Sequence, residues 1–183
     1  MRSMENDNLK VSLPKGGMVQ LRPVTPADDE FLLSVYAASR AEELAQVPWS
    51  DEQKTAFVQW QFGLQKNQYD ATYPNQEHCV ILVDDQPAGQ IWLSRGDAYI
   101  RMLDIALLDE FQNRGVGTVI VGRLIDEAIR TNKRLRHHVF VLNENAKRFY
   151  ERLGFVVFEE VGAYHHMEWR GTPETNETTE PGA

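Results

Sequence analysis

A short polar segment with two glycines stands between two apolar runs and is the first candidate for a ligand site. It reads Gln112-Asn113-Arg114-Gly115-Val116-Gly117, after the apolar run 99–108 and at the start of a pattern that predicts a helix over 115–130. The first N–H groups of a helix have no partner within it, and the helix dipole adds partial positive charge there. Because glycine lets a ligand approach the backbone closely, this pattern favours an anion.

The spacing of this segment excludes two known nucleotide-binding loops. A P-loop requires lysine and then Ser or Thr after its second glycine, whereas Thr118 and Val119 follow Gly117. A dinucleotide-binding fingerprint requires a third glycine at the position of Ile120. Residues 112–152 carry nine basic and four acidic side chains, a net +5 in a chain of net charge -8, which still favours an anionic ligand. The alternative, a solvated basic surface beside a glycine turn, stays open.

A second motif lies downstream in NENAKRFYERLGF, residues 143–155. Asn143 is followed by Ala146 three positions on, Tyr150 seven positions on, and then by Gly154 and Phe155. With the segment 112–117, this order resembles the two signatures of the GCN5-related N-acetyltransferase superfamily, over about residues 18–169. The resemblance implies an α/β fold for acyl-CoA acyltransferases: a mixed, twisted sheet of about six to seven strands, helices on both faces and splayed central strands.

The resemblance implies acetyl-CoA as the acyl-donor cosubstrate and assigns its binding residues. The loop N–H groups would hold the pyrophosphate, the central strand would pair with the pantetheine arm, and the second motif would contact the arm. The N–H near Leu107 would also polarise the thioester carbonyl. The residues implied are Gln112, Asn113, Arg114, Gly115, Val116, Gly117 and Thr118 in the loop, Ile105, Ala106 and Leu107 in the strand, and Asn143, Ala146 and Tyr150 downstream.

Two residues are candidates for proton transfer. The resemblance implies that Tyr150 is the general acid that protonates the leaving sulfur, whereas helical periodicity alone favours a packed aromatic side chain. Asp104 lies within the apolar central strand, where an unpaired buried acid is costly. It is either a general base acting through water or a structural acid paired with Arg101 or another base.

The amine acceptor is the least determined part of the prediction. In the superfamily the region after the first helix often lines the acceptor pocket, which suggests Glu42 and Glu43; the alternative is that both are simply exposed. The second helix resembles one of an uncharacterised bacterial branch, and Trp60 and Gln61 are its acceptor candidates; core packing is the alternative. A small-molecule or peptide amine is the expected acceptor. A non-catalytic acyl-CoA sensor on the same fold is the competing function.

The cysteine and histidine residues do not suggest a metal or a covalent intermediate. Cys79 is the one cysteine and lies in the apolar run HCVILV, so we expect a buried thiol and direct transfer in a ternary complex. Four of the histidines occur in two adjacent pairs without metal-site spacing, so no metal ligand is expected. These pairs are His137 with His138 and His165 with His166.

Length and composition predict one domain with flexible ends. The 183 residues, 42% of them hydrophobic, predict a single domain over 18–170, with a flexible lead-in at 1–17 and a disordered acidic tail at 171–183. The net charge of -8 argues against nucleic acid as a partner. Without a signal-like leader or an 18-residue apolar run, we expect a cytoplasmic protein that does not enter membranes. A homodimer is common in the superfamily, and the sequence leaves it open.

Periodicity and turn residues predict the order β-α-α-β-β-β-α-β-α-β-β. The strand–helix–strand passage from 99 to 141 implies a parallel pair, and a hairpin with Pro87 and Gly89 near its turn implies antiparallel strands. The strands are expected at 18–24, 78–83, 89–95, 99–108, 135–142, 155–161 and 164–169, and the helices at 26–40, 50–68, 115–130 and 145–154.

Overall fold

The computed structural model describes residues 10–170, and the remainder of the predicted lead-in and the predicted tail lie outside these residues. Within them one eight-stranded sheet is flanked by four α-helices. The strands are β1 Lys10–Ser12, β2 Met18–Pro23, β3 Gln76–Val83, β4 Gln86–Arg95, β5 Tyr99–Leu107, β6 Arg134–Phe140, β7 Phe155–Val161 and β8 Tyr164–Trp169. The helices are α1 Asp29–Ala45, α2 Asp51–Thr72, α3 Val116–Thr131 and α4 Glu144–Arg152.

The sheet is mixed, as predicted. Its strand order is β1-β2-β3-β4-β5-β6-β8-β7. The pair β5–β6 is parallel and is joined through α3, whereas every other pair is antiparallel. The α/β fold class and the parallel pair are therefore confirmed.

The sheet has one strand more than the six to seven predicted. The additional strand, β1, lies in the segment predicted to be a flexible lead-in, and it pairs with β2 through Val11 and Val19. Leu13, just after β1, is buried against the main core. A strand of three residues is too short for an alternating pattern to be recognised, so the sequence does not reveal it.

The start of α2 follows from local hydrogen bonding. Ser50 Oγ accepts from Gln53 N at 3.3 Å, and Gln53 Oε1 accepts from Ser50 N at 2.9 Å. These reciprocal bonds satisfy two backbone donors that a helix start otherwise leaves open. The helix therefore begins within one residue of the predicted start at 50, and it continues four residues beyond the expected end at 68.

The β3–β4 hairpin turns earlier than predicted. Its turn residues are Asp84 and Asp85, with φ of 50° and 63°, and these left-handed conformations suit a tight two-residue turn. Pro87 and Gly89, expected near the turn, lie inside β4. Gly89 is needed for packing, because a Cβ there would lie 2.1 Å from the carbonyl oxygen of Ala106.

The helices cover both faces of the sheet. Helices α3 and α4 pack on the face that carries Ile91, Ile100 and Met102, which belong to the main core. Helices α1 and α2 pack on the opposite face, where Val80 and Trp92 belong to two smaller clusters.

Strands β5 and β6 pair along only part of their length. The parallel register runs from Tyr99–Arg134 to Met102–His137 and stops there. Next to this point the β4–β5 register shifts, so that Leu103 has no residue opposite it on β4. Beyond Met102 a gap, bounded by residues 103–107 of β5 and 138–140 of β6, opens in the middle of the sheet.

Candidate active site

The loop before α3 presents a row of free backbone donors. From Asn113 to Thr118, six consecutive N–H groups have no hydrogen-bond partner within residues 10–170, and the helical bonds begin with Val119 N to Gly115 O at 3.0 Å. Asn113 and Gly115 have φ of 58° and 86°, and this left-handed backbone makes the loop concave. The free donors, the helix start and Arg114 together suit an anion.

The loop is fixed to the end of β5 by one side chain. Gln112 donates through Nε2 to the carbonyl oxygen of Leu107 and to Asp109 Oδ1, both at 2.9 Å. At the other side of the loop, a Cβ on Gly117 would lie 3.4 Å from the ring of Phe149 on α4. The loop therefore has a defined place between β5 and α4.

Of the three β5 residues predicted to pair with the pantetheine arm, two direct their backbone groups towards the gap. Leu108 N donates to Ala88 O on the β4 side at 2.9 Å, and successive residues of a strand direct their backbone groups to alternate sides. Ile105 and Leu107 therefore direct their N–H groups towards the gap. Ala106 directs its backbone towards β4, so it is not available to a ligand in the gap.

Tyr150 extends from α4 to the start of the gap. Its ring is 3% exposed and lies 4.6 Å, between centroids, from the ring of His137 on β6. Its hydroxyl has no hydrogen-bond partner within residues 10–170, yet it is not among the fully buried unpartnered atoms, so it remains accessible. Burial and the charge of Asp104 raise the pKa of Tyr150, which therefore keeps its proton at neutral pH.

Asp104 lies on β5 opposite Trp92 of β4. Burial raises the pKa of Asp104 to about 6, and the charge of Arg40 on α1 opposes that rise. The alternative predicted from the sequence is a pairing with Arg101 or another base. Within residues 10–170 Asp104 forms no ion pair, and the Arg101 guanidinium lies 5.3 Å from the Tyr99 ring, whereas the charge of Arg40 and the N–H of Ile105 stabilise the carboxylate. At neutral pH Asp104 is therefore an ionised carboxylate with a proton affinity suited to a base.

Asn143 caps α4. Its Oδ1 accepts from Ala146 N at 3.0 Å, and this bond explains the three-residue spacing of the motif. Asn143 is exposed. Its amide N–H groups form no hydrogen bond within residues 10–170 and are therefore available to a ligand.

Two carbonyls at the start of the gap accept hydrogen bonds from side chains to which the sequence assigned no such role. His137 Nδ1 lies 2.7 Å from Met102 O, and Tyr69 on α2 donates its hydroxyl to Leu103 O at 3.1 Å. Gln65 Nε2 in turn donates to the Tyr69 hydroxyl at 3.4 Å. No local pattern in the sequence indicates the two contacts to these carbonyls, which join residues 34 and 35 positions apart.

The four predicted acceptor residues lie on α1 and α2 and differ in their exposure. Glu42 and Glu43 are exposed, and Glu43 pairs with Arg40 at 3.1 Å. Trp60 is 59% exposed, with its ring 6.0 Å from that of Phe57, whereas Gln61 is partly buried. Arg40 of α1 and Tyr69 of α2 are coupled electrostatically to Asp104, because the charge of Asp104 raises the pKa of Tyr69 and that of Arg40 lowers the pKa of Asp104.

Cys79 lies on β3, two strands away from β5. Burial raises the pKa of the Cys79 thiol to about 11, so it is not a thiolate at neutral pH. The part of the chain from 10 to 170 holds no group of three or more His, Cys, Asp or Glu side chains suited to a metal ion. No helix in that part is both long and apolar enough to cross a bilayer.

Comparison with known proteins identifies the family that the sequence resembles. The profile of the acetyltransferase (GNAT) family matches residues 34–155. The uncharacterised N-acetyltransferase CgeE of Bacillus subtilis (strain 168) is 26% identical over 78 residues, which are 43% of this chain and 30% of that protein.

Solved structures share the fold at low sequence identity. The PaiA N-acetyltransferase of Thermoplasma acidophilum, in complex with coenzyme A, has a TM-score of 0.64 and 18% identity, over 83% of this chain and 98% of that one. An acetyltransferase of Thermus thermophilus has a TM-score of 0.60 and 21% identity, over 84% of this chain and 97% of that one.

Proposed function

The chain belongs to the GNAT family of acetyltransferases, which use acetyl-CoA, and from this premise we propose that it transfers the acetyl group directly to a primary amine bound beside Asp104. One observation carries the proposal. The gap between β5 and β6 has the free hydroxyl of Tyr150 at its start and the ionised carboxylate of Asp104 on β5. An amine that attacks a thioester needs both groups, one to release a proton and one to accept it.

Acetyl-CoA fits the residues that line the loop and the gap. The six free N–H groups from Asn113 to Thr118 would bind its pyrophosphate, with Arg114 adding positive charge. The carbonyl of Ile105 and the N–H of Leu107, which face the gap, would pair with the pantetheine arm as a neighbouring strand does. The Leu107 carbonyl, in contrast, already accepts from Gln112, and the Ile105 N–H donates to the Asp104 carboxylate. The free amide of Asn143 would contact the same arm, while its oxygen keeps the cap of α4.

Acetyl-CoA supplies an activated acetyl group as a thioester. The Leu107 N–H would donate to the thioester carbonyl and stabilise the negative charge that develops there. Asp104, through a water molecule, would accept a proton from the amine nitrogen. Tyr150 would give its hydroxyl proton to the sulfur as the carbon–sulfur bond breaks and the carbon–nitrogen bond forms. The second proton of the nitrogen would return to the Tyr150 oxygen through water, so that the products are an amide and a thiol, with the first proton on Asp104.

A base is required because the acceptor is protonated at neutral pH. A free lysine amine at pH 7 is neutral only to about 10⁻³ to 10⁻⁴. A carboxylate with a pKa of about 6 is ionised at that pH and still binds a proton well enough to help remove one. This argument supports Asp104 rather than Glu42 or Glu43, which are exposed.

Direct transfer is supported by the state of the one cysteine. An acyl-enzyme on a thiol would require a reactive thiolate near the thioester. The buried thiol of Cys79 has a raised pKa of about 11 and belongs to a strand that is separated from β5 by β4. We therefore propose a ternary complex of enzyme, acetyl-CoA and amine.

The test is a panel of primary amines incubated with the protein and acetyl-CoA, with release of free coenzyme A thiol as the readout. The panel spans amino acids, polyamines, aminoglycosides and peptides with a free N-terminus. We expect release above the amine-free rate for at least one class, with a mass increase of one acetyl group on that amine. Acetyl-CoA binding by calorimetry without acetylation of any amine would contradict the proposal and favour a sensor of acyl-CoA.

A further inference from the structure

Two consecutive carbonyl groups mark the point at which β5 separates from β6. Met102 is the last residue of β5 that is paired with a residue of β6. The next residue, Leu103, is paired with no residue of β4. In a continuous sheet, neighbouring strands would bond to such carbonyls. Here each of them accepts from a side chain, and the two side chains come from different elements.

The first of these side chains is His137 of β6, which bonds Met102 O at 2.7 Å. A carbonyl oxygen only accepts, so Nδ1 carries the proton in this bond. Burial lowers the pKa of His137 to about 3, and the neutral ring with a fixed tautomer therefore persists at physiological pH. The same ring packs against Tyr150, so the bond also fixes a neighbour of the proposed acid.

The second is Tyr69 of α2, which reaches the strand from the opposite face of the sheet. Its hydroxyl donates to Leu103 O at 3.1 Å and accepts from Gln65 Nε2 at 3.4 Å. The residue is 8% exposed, and its ring meets the Trp92 ring nearly edge-on at 5.2 Å. Burial raises the pKa of Tyr69, so the hydroxyl remains a donor.

We propose that Tyr69 and His137 are positioning residues that fix the point at which β5 separates from β6. His137 joins β6 to Met102 O at the last paired position, and Tyr69 bonds Leu103 O at the first unpaired one, so that β5 leaves β6 at a defined residue. They also fix the backbone just before Asp104 and Ile105. The inference rests on the proposed function, because the aligned groups serve acetyl-CoA binding and proton transfer.

Single-group substitutions separate this role from general packing. Tyr69→Phe removes only the hydroxyl and keeps the ring against Trp92. His137→Leu removes the donor, whereas His137→Asn retains an N–H donor near the position of Nδ1. Tyr73→Phe is the matched control, since Tyr73 lies one turn further along the chain from Tyr69, with its ring 6.4 Å from that of Tyr69.

The first readout is the Kd of acetyl-CoA by calorimetry, with folding checked by circular dichroism. We expect Tyr69→Phe and His137→Leu to weaken binding about 5- to 20-fold, the effect of losing one aligned hydrogen bond, and His137→Asn and Tyr73→Phe to stay within about twofold. If His137→Leu does not fold, the Kd values of Tyr69→Phe and His137→Asn test the proposal instead. Folded Tyr69→Phe with the parent Kd would overturn the proposal.

The second readout is amide hydrogen exchange without ligand, which needs no turnover. Ala106, whose backbone is directed towards β4, should exchange at least about tenfold faster in Tyr69→Phe than in the parent and in Tyr73→Phe, while the main core stays protected. Uniform change across the chain would indicate general destabilisation and overturn the positioning role. If no amine is acetylated, the proposed function fails, but the Kd and exchange results still decide this inference.

Discussion

At the scale of single residues, two ionisable groups at the gap differ in protonation state at neutral pH. Burial raises the pKa of Asp104 to about 6, which leaves it ionised at neutral pH. Burial and the Asp104 charge raise the pKa of Tyr150, which leaves it protonated. Two groups whose environments separate their proton affinities in this way are suited to the roles of base and acid in one reaction.

Tyr150→Phe tests the acid. The substitution keeps the ring against His137 and removes only the hydroxyl. We expect kcat to fall about 10²-fold, the lower part of the range for general acid catalysis, while the Kd of acetyl-CoA stays within about twofold. Calorimetry and thiol release measure the two quantities. Turnover equal to that of the parent would remove Tyr150 as the acid.

Asp104→Asn tests the base through the pH dependence of kcat/KM. Asp104 gains its proton as the pH falls through about 6, and the neutral acid no longer accepts one. With an acceptor amine of pKa near 10, the logarithm of kcat/KM should rise with a slope of about 1 below pH 6 and level off above it, because the ionised carboxylate takes the proton of the bound ammonium. Without the base, only the small neutral fraction of the amine reacts. In Asp104→Asn the slope should stay near 1. A break near pH 6 that persists in the variant would assign it to another group.

The sequence predicts the residues of local motifs and misses contacts made across layers. Asn143, Ala146 and Tyr150 follow from spacing within one helix, and the cap between Asn143 and Ala146 explains that spacing. The bonds of His137 to Met102 and of Tyr69 to Leu103 join residues 35 and 34 positions apart. No periodicity contains such a pairing, because it depends on how α2 and β6 pack around β5.

At the scale of elements, the start of α3 is predicted well because local rules determine it. Glycine at a left-handed φ, free N–H groups and an amphipathic run lie within one short segment. The boundaries elsewhere shift where tertiary contacts matter: α1 ends at Ala45 rather than near 40. The hairpin turn shifts to 84–85 because Asp84 and Asp85 adopt the left-handed conformations that Pro87 cannot.

Gly117→Glu tests whether the start of α3 binds the pyrophosphate. A carboxylate in the first turn of a helix suits the helix dipole, so the fold should tolerate it. The added charge and bulk should weaken acetyl-CoA binding more than about 30-fold, which corresponds to about 2 kcal/mol. The measurement is the Kd by calorimetry.

Gly122→Glu provides the control for charge on the same helix. Gly122 lies in the middle of α3, and a Cβ there would meet no atom within 4 Å. Its Kd for acetyl-CoA should stay within about threefold of the parent, an effect of long-range charge only. If acetyl-CoA binding were weakened equally in both variants, a pyrophosphate site at the start of α3 would be contradicted.

At the scale of the whole molecule, binding of acetyl-CoA should stabilise the fold. A ligand that binds only the native state adds about 2.7 kcal/mol at 100 times its Kd. For a chain of 183 residues this corresponds to a rise in Tm of about 5 to 10 °C. Differential scanning fluorimetry with acetyl-CoA measures the rise, and adenosine alone is the control. An unchanged Tm at saturation would contradict the assigned binding site.

The charge distribution of the molecule also favours an anionic ligand near α3 and α4. Residues 112–152, which contain α3, β6 and α4, carry a net +5, whereas the whole chain carries -8. An anionic ligand is therefore attracted to one region of a molecule that repels it elsewhere. The composition alone indicates only that the net charge is negative, and it does not reveal local basic regions such as this one.

The gap between β5 and β6 has a consequence for the lifetime of the protein. Sheets usually keep unpaired strand edges at their margins, where charges, prolines or short strands protect them from association with other chains. In this fold an unsatisfied edge lies in the interior of the sheet, along residues 103–107. The ligand that fills it would act as a pharmacological chaperone does. Protein turnover and aggregation should therefore depend on the supply of acetyl-CoA, so that a starved cell loses the enzyme together with its cosubstrate.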